Sequence, residues 1–285
     1  MLEKKAMKKN WIKFWGVRGS LPSPGPETAR YGGNTPCIEI SYKDTLIICD
    51  AGTGIRPLGI DLARRIKGKI SATILFSHPH LDHLIGLPFF EPLYKKGNKF
   101  TVITPQRSAA EIKTLLKGII APPYFPVDIT KSAATIKFKG LSIRPISIGE
   151  IKIEAFKCNH PGNSYAFKFS FPNGKTLVYT SDNEPSNIRF KQLLKWIKGA
   201  DVLIHDSQYS PQQYKKKKGW GHSPYHYPIS LAAAAHVKKL FLFHYDPETT
   251  DATLDKVEIA VQNFVRCMGF DVKVALSREG MKITL

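Results

Sequence analysis

The chain has 285 residues, 42% of them hydrophobic, with 21 glycines and 20 prolines, a composition that excludes a disordered or fibrous protein. Its 42 lysines and arginines outweigh 23 aspartates and glutamates, for a formal net charge of +19; such a charge would draw nucleic acid or other polyanions at low salt, but the lysines are spread along the whole chain and only Lys215 to Lys218 form a compact run. Four scattered cysteines (Cys37, Cys49, Cys158 and Cys267) include no C-x-x-C pair, which argues against a cysteine zinc site or a disulfide framework and for a reducing compartment.

No apolar run approaches the length of a membrane span. Trp11-Ile12-Lys13-Phe14-Trp15-Gly16 is too short and too charged for a signal-peptide core. The expectation is a cytoplasmic protein with a basic tail at residues 1–10 and one domain over 11–285, since nothing marks a linker.

Trp11 to Val17 alternates as an opening strand, and Gly19 to Pro26 is turn chemistry. Cys37–Tyr42 and Thr45–Cys49 read as a hairpin turning at Lys43-Asp44. A helix follows Gly54 to Lys67, then a strand over Ala72–Phe76. Lys99–Thr104 reads as a strand and Ala109–Ile120 as a helix, broken by Pro122 and Pro123. Ile136–Phe138, Leu141–Ile146 and Ile151–Phe156 read as short strands. Tyr165–Phe171 and Thr176–Thr180 flank Asn173-Gly174, a strong hairpin dipeptide. Helices are predicted over Ser186–Lys198, Pro228–Val237 and Leu254–Met268. Strands are predicted over Asp201–Ile204, Leu240–Phe243, Val272–Ala275 and Met281–Thr284. Lys215 to Lys218 fall in a predicted loop. Element order repeats weakly, as expected for two sheets with outer helices.

The stretch Ser77-His78-Pro79-His80-Leu81-Asp82-His83 directly follows a predicted strand and puts three imidazoles and a carboxylate within six residues. Imidazole and carboxylate suit zinc, manganese or iron. His78 and His80, two apart, can point the same way if extended geometry persists. His160, Asp182, Asp206 and His244 also follow predicted strands. Taken singly, each is more often a structural hydrogen-bonding residue; taken with the cluster, they have the chemistry for two adjacent metal ions.

His78-X-His80-X-Asp82-His83, followed by a His, an Asp and a His at strand ends, resembles the metallo-β-lactamase superfamily. The resemblance covers nearly the whole chain. It implies an α/β fold, an αββα sandwich of two mixed sheets flanked by helices. It further implies that His78, His80 and His160 hold one divalent metal, that Asp82, His83 and His244 hold the other, and that Asp182 bridges them. A hydroxide shared by the metals would be the nucleophile, and Asp82 would be a catalytic residue as well as a ligand. The metals would be zinc, or alternatively manganese or iron. Asp50 would steady the loop by hydrogen bonds.

Gly221-His222-Ser223 looks like the phosphodiesterase branch, which includes ribonuclease Z and the cyclic phosphodiesterase of phosphonate breakdown. There His222 would assist the leaving group, supported by Asp206. Ser223 and Asn34 would be substrate contacts; Arg18 and Asn34 could touch a substrate but read more readily as loop supports. Phe14 to Ser20, Arg30 to Thr35 and Asp50 to Gly54 look like a bacterial hydrolase subgroup of that branch. Only 21 residues separate His160 from Asp182, too few for the tRNA-gripping arm of the tRNA-processing enzymes. The expected activity is therefore hydrolysis of small or cyclic nucleotide phosphodiesters, with no membrane partner. The alternatives are an armless nuclease of ribonuclease Z type, a thioester or lactone hydrolase, and a non-catalytic nucleic-acid-binding protein. The aromatic segments at Tyr124-Phe125 and Tyr225-His226-Tyr227 are cleft walls or a homodimer surface.

Overall fold

The computed structural model describes residues 10–141 and 144–285. The basic tail at residues 1–10 therefore lies, except for Asn10, outside the described residues. In chain order the first half forms β1 (Trp11–Gly16), β2 (Cys37–Tyr42), β3 (Thr45–Cys49), α1 (Ile55–Arg65), β4 (Ser71–Leu75), α2 (Leu81–Leu84), β5 (Lys99–Pro105), α3 (Ala109–Ile119) and β6 (Thr135–Leu141). The second half begins with β7 (Ile146–Ile148), β8 (Ile151–Lys157), β9 (Tyr165–Ser170), β10 (Thr176–Thr180), α4 (Asn187–Ile197), β11 (Val202–Asp206) and α5 (Pro211–Lys217). It closes with α6 (His226–Ala234), β12 (Lys239–Phe243), α7 (Asp251–Cys267), β13 (Lys273–Leu276) and β14 (Lys282–Thr284).

The strands make two seven-stranded sheets, ordered β14-β1-β2-β3-β4-β5-β6 and β13-β12-β11-β10-β9-β8-β7. Each runs through three antiparallel pairings and then three parallel ones, pivoting at β3 in one sheet and β10 in the other. Alternation along the strands divides the apolar side chains between two faces. Ile12, Phe14, Ile38, Ile40 and Ile47 of the first sheet join Phe167, Phe169, Leu177 and Tyr179 of the second in one buried core. The intervening residues of the first sheet, Ile48, Ile74, Phe100 and Val102, pack with Leu58 and Leu62 of α1 and with Ile112 and Leu116 of α3. Leu193 of α4, Leu231 of α6 and Leu254 of α7 cover the second sheet. This is the αββα layering expected from the sequence.

Two elements differ from expectation. Leu141 ends β6 and Ile146 begins β7, so the predicted strand over 141–146 is not one strand; Ser142 and Ile143 lie outside the described residues. The lysine run is helical. Ser210 and Gln213 form a reciprocal capping box around Pro211, which starts α5. The helix buries no residue, so it carries no apolar stripe for a periodicity reading to find. Among the described residues no helix is long and apolar enough to cross a membrane.

Candidate metal centre

Ligand sites in sheets of this kind gather at the carboxyl ends of parallel strands. β3, β4, β10, β11 and β12 end beside Asp50, His78, Asp182, Asp206 and His244. β8 is antiparallel to β9, which is antiparallel to β10. It therefore runs with β10 and delivers His160 to the same edge. α2 is a single turn with His80 at its N-cap. It folds Asp82 and His83 back toward the strand ends.

The side chains converge. One ligand atom each of His78, His80, His160 and Asp182 lies within 4.8 Å of the others, and the same holds for Asp82, His83, Asp182 and His244. Asp182 belongs to both groups. Its Oδ2 stands 3.3 Å from His78 Nε2 and 3.7 Å from His160 Nε2; its Oδ1 stands 3.4 Å from His83 Nε2 and 3.1 Å from His244 Nε2.

The ring orientations are fixed from behind. His83 Nδ1 bonds Asp50 Oδ2 at 2.9 Å, and Tyr179 donates to the same oxygen at 2.7 Å. Ser77 donates its hydroxyl to Asp50 at 2.9 Å and meets His78 Nδ1 at 3.0 Å. His160 Nδ1 bonds the Gly221 carbonyl at 2.9 Å, and His244 Nδ1 bonds Gln208 Oε1 at 3.0 Å. In His78, His83, His160 and His244 the held Nδ1 turns Nε2 toward the cluster, whereas His80 brings Nδ1 to 3.1 Å from His160 Nε2. Both Asp50 and His244 adopt positive φ, 60° and 65°, a conformation that costs energy and that the surrounding contacts must hold. Space behind the rings is closed as well: a Cβ at Gly221 would lie 2.2 Å from His160 Nδ1, and one at Gly19 would lie 2.3 Å from His244 Nδ1.

The electrostatics fit cations. Burial pushes His78 down to about 4, helped by the nearby His83 charge, so it stands neutral. Burial likewise lowers His80 and His160. Burial works against the charged form of Asp182, but His244, His83 and His78 outweigh it and hold the carboxyl well below its usual range. Burial opposes charge on His83 too, yet Asp82, Asp182 and Asp50 raise it well above an ordinary imidazole. A divalent ion held there would compete with that proton, since metal binding displaces protons from its ligands. The buried Nε2 atoms of His78 and His83 make no well-formed hydrogen bond, the carboxylate oxygens of Asp82 and Asp182 standing 3.2 to 3.4 Å away. Orphaned imidazole nitrogens around a shared carboxylate are a donor set for divalent metal ions.

His222 stands beside this cluster, its ring stacked on that of His244 with centroids 5.1 Å apart. Its Nδ1 bonds Asp206 Oδ2 at 3.1 Å. Burial disfavours the imidazolium, but Asp206, then Asp182 and Asp82, outweigh it and raise His222 to about 9. Asp206, His222 and His244 form a third grouping with metal-ligand spacing. Asp206, however, already accepts backbone N–H groups from Asn183, Gln208 and Ser223, so its place is that of an anchor for His222.

Two expected substrate contacts are otherwise engaged. Ser223 is fully buried and donates its hydroxyl to the Asn183 carbonyl at 2.5 Å. Asn34 is tied to Glu279 through its backbone N–H at 2.6 Å and its amide at 2.9 Å, and its carbonyl accepts from Val17 and Arg18. Both hold loops together. Arg18 is fully buried and bonds the carbonyls of Gly32, Asp246 and Thr249, again as a loop support. Sequence reasoning missed Ser77, Tyr179, Gln208, the Ser20 N–H that bonds Asp82 at 2.9 Å, and Glu184. Ser77 adjoins the candidate ligand His78 and Glu184 lies two residues after Asp182; Tyr179 and Gln208 carry no local signal.

The sheets, their order and this edge site make the metallo-β-lactamase fold. The chain belongs to the family described as the beta-lactamase superfamily domain, whose model matches residues 45–245. A relative from Picrophilus torridus named Ribonuclease Z is 26% identical over 85% of this chain and 88% of its own. The crystal structure of the metallo-beta-lactamase fold protein YhfI from Bacillus subtilis matches with TM-score 0.68 at 18% identity, over 97% of this chain and 99% of that one. That of a diphosphatase from the PhnP family matches with TM-score 0.67 at 16% identity, over 97% and 98%.

Proposed function

We propose that the protein is a metal-dependent phosphodiesterase acting on small or cyclic nucleotide phosphodiesters. The observation that carries this reading is the His222–Asp206 pair, held at 3.1 Å beside the ligand cluster. Cleaving a phosphodiester expels an alkoxide, which needs a proton as it leaves. A thioester expels a thiolate, which leaves without such help, whereas a lactone expels an alkoxide and is separated from a phosphodiester by the substrate panel below.

His78, His80 and His160 would hold one ion; Asp82, His83 and His244 would hold the other, with Asp182 between them. Two such ions would supply Lewis acidity and a water made acidic near neutral pH. Zinc, manganese and iron all suit these donors. The chain's own residues do the rest. Asp50, Ser77, Gln208 and the Gly221 carbonyl hold the rings of His83, His78, His244 and His160 so that their other nitrogens face the cluster. His222, its Nδ1 committed to Asp206, presents Nε2 to the leaving oxygen and gives up its proton there. On the outer side of His78, a cleft of about 340 Å³ is bordered by Arg107, Lys157 and Tyr165, which puts two cationic residues near the cluster without the cleft's touching its other members.

A second reading is a nuclease of ribonuclease Z type, favoured by the name of the Picrophilus torridus relative. Against its tRNA-processing form stands the interval from His160 to Asp182. β9 and β10 fill it and close directly through a turn at Asn173-Gly174, with Phe171 N–H on the Lys175 carbonyl. That hairpin leaves no room for an arm.

The test is a substrate panel on metal-loaded protein: cyclic nucleotides, dinucleotides, precursor tRNA, a thioester and a lactone. Turnover of the small phosphodiesters is expected. Turnover of carboxyl esters alone would overturn the reading, and preference for precursor tRNA would move it to the second.

A further inference from the structure

Two residues before His222 stands Trp220, which is 61% exposed. It follows the lysines of α5. We infer that α5 and Trp220 form a contact surface for single-stranded nucleic acid, which holds the nucleotides flanking the scissile phosphate. The inference rests on the phosphodiesterase reading and extends the substrate from a mononucleotide to a short single strand.

A lone exposed aromatic is ordinary, and a lysine run is usually a solvated face. Here the backbone that carries the indole is held in a fixed place. Gly219 and Gly221 flank it at φ 91° and 90°, a region that glycine enters freely. Their N–H groups bond the two carboxylate oxygens of Glu184, at 2.7 and 3.0 Å. Trp220 N–H bonds the Lys217 carbonyl at 3.2 Å. Glu184 lies two residues after Asp182, so one short segment sets both the shared carboxylate and the turn that presents the indole. Such a turn shows the ring face at a fixed offset from the cluster.

The lysines divide in role. Lys217 is anchored, its Nζ 2.8 Å from Asp246, and it lies over the rings of Tyr209 and Trp220 at 4.8 and 5.7 Å. Lys215, Lys216 and Lys218 are exposed and, among the described residues, have no acidic partner. An aromatic face for base stacking next to unpaired cations for the backbone is the combination that grips single strands without sequence preference. A membrane would need a wider apolar face than Pro-Gln-Gln-Tyr-Lys-Lys-Lys offers.

The test measures anisotropy of a fluorescein-labelled phosphorothioate decathymidylate on the full chain, with turnover of the phosphodiester decamer and of a thymidine dinucleotide in parallel. Trp220→Ala is expected to weaken decamer binding about tenfold, as loss of one stacked base would, and Trp220→Phe to recover most of it. K215E/K216E/K218E is expected to reduce the slope of log affinity against log salt by about 2, at ~0.7 per phosphate contact on a single strand. The kcat/KM ratio of decamer to dinucleotide should fall in the same variants. Unchanged decamer affinity in both sets, equal affinity for a duplex, or preferred binding to phosphatidylserine vesicles would overturn the inference. Decamer binding that responds as expected, with no phosphodiester cleaved, would sustain this surface and reject the phosphodiesterase reading.

Discussion

Asp50 of the first sheet receives the hydroxyl of Tyr179 from the second, at 2.7 Å, on the oxygen that also holds His83. The second sheet thus helps to aim an imidazole of the first that would hold metal. Asp50→Asn would offer His83 Nδ1 an amide in place of a full carboxylate and so disturb the ring. Metal affinity should fall about 10- to 100-fold, as when such outer partners are lost elsewhere. Metal titration of the depleted variant checks it, and parental affinity would remove Asp50 from the positioning role. Tyr179→Phe should show the same change more weakly.

Asp182 contributes an oxygen to each half of the cluster. Asp182→Ala should lower metal content from two ions per chain toward one or none, measured by elemental analysis after dialysis. Wild-type melting temperature should drop on chelation, because ions bound only to the folded state stabilise it. The variant should be nearly indifferent to chelator.

The His222–Asp206 pair makes a prediction about leaving groups. His222→Ala should slow hydrolysis of a dinucleotide, which expels an alkoxide, by about 10²- to 10⁴-fold. Bis-p-nitrophenyl phosphate expels a stable phenolate and should suffer much less. Asp206→Asn should follow the same order with smaller losses. Equal losses on both substrates would assign His222 to binding instead of proton transfer.

His205 gives a pH dependence apart from the ligands. It is fully buried, with Nδ1 bonded to the Asp206 carbonyl at 2.7 Å, and burial lowers it below its ordinary 6.5. Between the folded value and 6.5 the unfolded chain binds a proton that the folded chain does not. Its contribution to stability is therefore full above 6.5 and lost as pH falls toward the folded value. Urea midpoints at pH 7.5 and 5.5 should differ less in His205→Asn than in the wild type. An unchanged difference would show that His205 does not titrate in this window.

Gly221→Ala would force a Cβ to within 2.2 Å of His160 Nδ1 and strain a residue at φ 90°. The variant should lose the ion held by His160 first. Metal content near one per chain, against two for a glycine-to-alanine change at exposed Gly174, is the expected readout. Gly174 has nothing within 4 Å of an added Cβ, although it too sits at positive φ.

The parts legible in the sequence were those with local causes. The β2–β3 hairpin follows from its alternation and the Lys43-Asp44 turn, and Ile38↔Cys49 and Ile40↔Ile47 pair accordingly. The histidine stretch announces itself by residue type. Less legible was anything that depends on direction. Ser223 reads as a substrate contact by position, yet its hydroxyl turns inward to Asn183. Tyr179 looks like any core aromatic until the second sheet brings it to Asp50. α5 hides because its stability signal is a capping box, while its composition reads as loop.

Each sheet makes the same passage from antiparallel to parallel pairing, and each provides part of the donor set. The first gives His78, His80, Asp82 and His83; the second gives His160, Asp182 and His244. Neither of the two groupings that share Asp182 can be assembled from one sheet alone. Bound metal would therefore behave as a clasp across the seam between two similar half-molecules. Its release rate becomes a gauge of how often that seam opens, and separately expressed halves could recover the ions only by finding each other.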